Sequence, residues 1–103
     1  MLKGIVSNEN CAETIRELLE VMDSVSNPFY IGQVNIAIDI ITHILDNSYP
    51  ECGIDGCAST IRNLIEVKTD IPDELHDQVD TAIVIITQII EDMAIEKRER
   101  KKK

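Results

Sequence analysis

The chain contains no tryptophan, one phenylalanine and two tyrosines. An aromatic core is therefore excluded, and any interior must be aliphatic, with isoleucine the dominant contributor. Three cysteines are an odd number, which argues against the closed disulfide framework that staples small secreted domains. The longest apolar stretch is interrupted by Asp39, and on this reading no run reaches the length of a membrane span. Residues 1–10 lack the apolar centre of a signal peptide. Together these points make the expected setting cytoplasmic and away from membranes. No glycine-rich phosphate loop, nucleophile elbow or Ser/His/Asp set can be read in the chain.

Basic residues are scarce except at one end. The last seven residues carry six of the ten basic side chains, leaving four against eighteen acids in the first 96. Such an acidic body repels phosphate, so nucleic acid is not an expected partner beyond weak contact through the basic tail, residues 97–103.

What the sequence has in abundance is self-similarity. Cys11 to Val21 recurs as Cys57 to Val67, with eight of eleven positions identical at an offset of 46. Gln33 to Leu45 then matches Gln78 to Ile90 at an offset of 45. The pattern reads as a tandem duplication, with halves at about residues 8–47 and 54–96 of a single domain spanning 1–96.

Within each half the apolar residues recur at helical spacing. Cys11, Ile15, Leu18, Met22 and Val25 form one stripe, which predicts a first helix capped by Asn10 and ending near Asp23. Ile5 and Val6 ahead of it could serve as a hydrophobic staple. Asn27 and Pro28 fit the cap and first position of a second helix running to about Asp46. Its stripe is Tyr30, Ile31, Val34, Ala37, Ile38, Ile41, Ile44 and Leu45. The β-branched content favours strand, but a 3.6 period over five turns outweighs it. Asn47 to Gly56 reads as a ten-residue loop between the halves. A third helix is expected from Cys57 to about Val67, and a fourth from about Pro72 to Glu96. Two similar hairpins predict an all-α four-helix bundle.

Two sets of side chains suggest chemistry. Cys11, His43, Cys52 and Cys57 comprise three thiols and an imidazole, the composition of a zinc site, although Cys-x4-Cys is looser than the usual knuckle. The simpler reading makes Cys11 and Cys57 small buried apolar residues and Cys52 an accessible loop thiol. Glu17 and Glu20, with Glu13, have the turn-apart spacing of carboxylates that hold magnesium in helical phosphohydrolases. The second copy replaces Glu17 by Asn63, and a solvated acidic face explains the set more simply.

The function expected from these readings is a small helical protein–protein interaction module without catalysis or cofactor. Its partner would be a second copy or another helical protein. The alternative is a metal-dependent enzyme or metal-binding protein using Glu17 and Glu20 or the Cys/His set. Phe29, Ile36 and Ile40 flank the second helix's stripe, and Val84 and Ile85 flank the fourth's. These five are the expected dimer interface, because a single bundle needs only about a 100° apolar arc per helix.

Overall fold

The computed structural model describes the backbone of residues 8–46 and 48–101, with side chains for 8–46 and 48–97. Among the described residues there are four α-helices and no strand: α1 Asn8–Ser24, α2 Pro28–Leu45, α3 Gly53–Val67 and α4 His76–Lys101. Short 3-10 turns at Lys68–Asp70 and Asp73–Leu75 join α3 to α4. The expected staple at Ile5 and Val6 lies outside the described residues, as do the side chains of the basic tail beyond Lys97.

Helix boundaries follow local chemistry. Asn27 is extended, and its Oδ1 accepts the Phe29 amide at 2.9 Å, with Pro28 at the first helical position, as the sequence predicts. Asn10, by contrast, lies inside the first turn of α1, because that helix already includes Asn8. The loop between α2 and α3 is shorter than expected because α3 starts at Gly53. Gly53 takes φ +70, the left-handed region that disfavours any residue with a Cβ, and so turns the chain from the loop into the helix. α4 starts later than expected, since Pro72 is extended and the chain makes a 3-10 turn before His76. It also continues through Lys101, into the segment expected to be a tail.

α1 packs against α2 and α4, α3 packs against the same two, and α2 and α4 touch each other. This arrangement decides which residues are core. A helix with three neighbours buries a wider arc than one-sided packing requires. Ile40 of α2 and Ile85 of α4 are accordingly each 1% exposed, inside the chain's own core. Their placement in a surface flank is corrected: both belong to the chain's own buried core. The remaining core is aliphatic, with Leu18, Val21, Val34, Ile41, Leu64, Val67, Val79, Ile86 and Ile89 essentially fully buried. Each such side chain contributes about 1.5–3 kcal/mol of transfer free energy. Burial follows the sequence match: Cys11 and Cys57, Thr14 and Thr60, Leu18 and Leu64, Ala37 and Ala82, and Ile41 and Ile86 are buried pair by pair.

By length and composition α2 is apolar enough to cross a membrane, which corrects the expectation that no run is. Only 22% of that 18-residue span is buried, so packing within the chain accounts for part of its apolar character. In α2 the buried residues Val34, Ala37, Ile40 and Ile41 face the other helices.

Candidate functional site

The turns between paired helices are tied to one another. Asp70, closing the turn after α3, accepts from the amides of Ser26 at 3.0 Å and Asn27 at 3.2 Å and from the Ser26 hydroxyl at 3.3 Å. One carboxylate therefore satisfies donors of the α1–α2 turn from across the fold. Elsewhere, the Tyr49 hydroxyl donates to Asp92 of α4, fixing the loop between α2 and α3. That bond, followed by burial, raises the Tyr49 pKa, and it lowers that of Asp92.

The zinc set does not assemble. Cys11 and Cys57 are buried and Cys52 is exposed. Cys52 and Cys57 have their sulfurs 3.9 Å apart. His43 is occupied at the end of α2, where its Nδ1 is 2.9 Å from the Ser48 hydroxyl and its Nε2 is 3.9 Å from Asp39. Among the described residues no three His, Cys, Asp or Glu side chains lie close enough together to share a metal ion.

The acidic set is only partly assembled. Glu13 and Glu17 of α1 face Asp77 and Asp80 of α4 across a groove of about 510 Å³, with Val84 and Ile85 in its lining. Glu20 is exposed and lies outside that groove. Asp80 is already paired, at 2.7 Å, with the ammonium of Lys68. Sequence reasoning misses Asp77 and Asp80, although their i, i+3 spacing near the start of a helix is a signal that could have found them.

Several polar residues identical between the matched segments are engaged locally or exposed. Thr42 and Thr87 donate to carbonyls four residues back, Ile38 at 2.7 Å and Ile83 at 2.8 Å, and Thr60 does the same to Gly56 at 2.9 Å. Arg16, Arg62, Glu20 and Glu66 are exposed. Of the expected interface, Phe29, Ile36 and Val84 are at the surface, at 55%, 42% and 41% exposure. Leu19 and Ile65, matched positions on α1 and α3, are also about half exposed, and neither was expected there as a pair. No family model, no curated protein and no solved structure matches the chain.

Proposed function

We propose that the chain is a four-helix bundle made of two tandem copies of a helical hairpin, acting as a cytoplasmic protein-interaction module that pairs with a second copy of itself. The matched burial of the two halves supports the duplication. The exposure of Phe29 and Ile36 supports the interaction role. They are seven residues apart on α2, hence on one line of its surface, and Phe29 is the chain's only phenylalanine. Phe29 also meets Tyr30 edge-on at 5.8 Å, an aromatic pair of the kind that anchors interfaces. A two-fold dimer would bring the same line of each copy together. The odd cysteine count fits a reducing compartment.

The competing reading, a metal-dependent enzyme on Glu17 and Glu20 or on the Cys/His set, draws no comparable support: Glu20 is outside the acidic groove and Asp80 is paired with Lys68. Light scattering on the Phe29→Glu/Ile36→Glu variant tests where pairing occurs. The expected result is a monomer with wild-type helix content. A variant that pairs like wild type would refute this surface.

A further inference from the structure

The loop before α3 brings two thiols together at its N-terminus. Cys52 and Cys57 have sulfurs in contact at 3.9 Å, against about 2.05 Å for a disulfide bond. Gly56 is what permits this approach. A Cβ there would sit 2.4 Å from the Cys52 Cβ and 2.9 Å from its sulfur, so any larger residue would displace the Cys52 side chain. The two thiols differ in access. Cys52 is exposed and lines an open cleft of about 540 Å³ with Tyr49, Ile54, Met93 and Lys97, whereas Cys57 is fully buried behind it. The first repeat supplies an internal control. Cys11 occupies the position matching Cys57, is equally buried, and has Val6 and Asn10 where the second repeat has Cys52 and Gly56.

We propose that Cys52 and Cys57 are a redox modification site, closing to an intrachain disulfide when the protein meets a low-molecular-weight disulfide. The Cys52 thiolate attacks one sulfur of the small disulfide, whose S–S bond breaks, and one small thiol leaves. Cys57 then attacks the Cys52 sulfur, the mixed S–S bond breaks, and the second small thiol departs with the proton that Cys57 gives up. Two protein thiols are oxidised and one small disulfide is reduced to two thiols. Access sets the order, and the charges reinforce it. The Cys57 thiol is pushed up to about 12, first by burial and then by the Cys52 charge and hydrogen bond. Once Cys52 is in the mixed disulfide its charge is gone, which favours ionisation of Cys57 for the second step. The closed loop is short, so the bond adds little loop-closure stability and suits reversible modification rather than bracing.

The test treats the full chain with oxidised glutathione, quenches with acid, alkylates with N-ethylmaleimide under denaturing conditions, and maps peptides after cleavage before Asp55, which separates the two cysteines. The expected product is lighter by two hydrogens, takes up one maleimide at Cys11, holds the Cys52 and Cys57 peptides together, and reverts with dithiothreitol. Cys57→Ala should stop at a glutathione adduct on Cys52, while Cys11→Ala should oxidise like wild type. A persistent adduct on wild-type Cys52 without ring closure, a bond involving Cys11, or three free thiols would overturn the proposal. The wild-type peptide map decides even if a variant misfolds.

Discussion

Asn63 of α3 donates its side-chain amide to Gln33 Oε1 of α2 at 2.7 Å, a partly buried link between the two halves. In the sequence match Asn63 corresponds to Glu17, and Gln33 to Gln78. A carboxylate accepts but cannot donate as an amide does. Gln78 Oε1 is indeed buried without a partner. An acceptor buried without a partner costs on the order of 1–3 kcal/mol.

Replacing Glu17 by Asn should restore the missing donor. The expected gain is about 0.5–1.5 kcal/mol in denaturant unfolding. Removing a charge facing Asp77 and Asp80 would act in the same direction, so the measurement is repeated at high salt. A gain that survives screening comes from the hydrogen bond; one that vanishes comes from relieved repulsion.

Asp70→Ala removes the acceptor shared by Ser26 and Asn27. Charge-assisted bonds of this kind predict a loss of about 1–3 kcal/mol, read in thermal or urea unfolding. The Asn27→Ala cap variant should lose about 1 kcal/mol. Because both act on the α1–α2 turn, the double variant should lose less than the sum of the two losses.

Ile40→Ala and Ile85→Ala should each cost about 2–5 kcal/mol, as large-to-small changes in a packed interior do. Phe29→Ala, at an exposed position, should change monomer stability by no more than about 0.5 kcal/mol. Equal, small effects at all three positions would return Ile40 and Ile85 to the surface.

The Tyr49–Asp92 bond predicts a pH dependence at both ends of the scale. The Asp92 pKa is lowered by its bond from Tyr49, so that contribution is present above the ordinary carboxylate value, near 4, and is lost as pH falls through the lower folded value. The Tyr49 pKa is raised, so its contribution is present below the ordinary value, near 10, and is lost as pH rises through the higher folded value. Tyr49→Phe should flatten both limbs relative to wild type in unfolding experiments across pH. Identical profiles would show that the bond carries no stability.

Helix content, the Asn27–Pro28 entry to α2 and the separation of buried from exposed cysteines were legible because each rests on local pattern. The width of the buried arc was not. A helical wheel shows that Ile40 and Ile85 flank their stripes, but not that α2 and α4 each meet three neighbours. Cys52 and Cys57 meet through local backbone instead: the spacing showed two thiols near glycines, and the left-handed Gly53 turn and the space at Gly56 bring the sulfurs together. The start of α4 was misjudged because Pro72 fits the first turn of a helix as well as the extended residue before one.

The central functional claim is that this chain pairs with itself through surface the fold leaves apolar. Sedimentation equilibrium of the wild-type protein over the micromolar range measures it most directly. Self-pairing predicts a reversible monomer–dimer equilibrium that shifts toward dimer with concentration. A single monomeric species up to high micromolar concentration would contradict it.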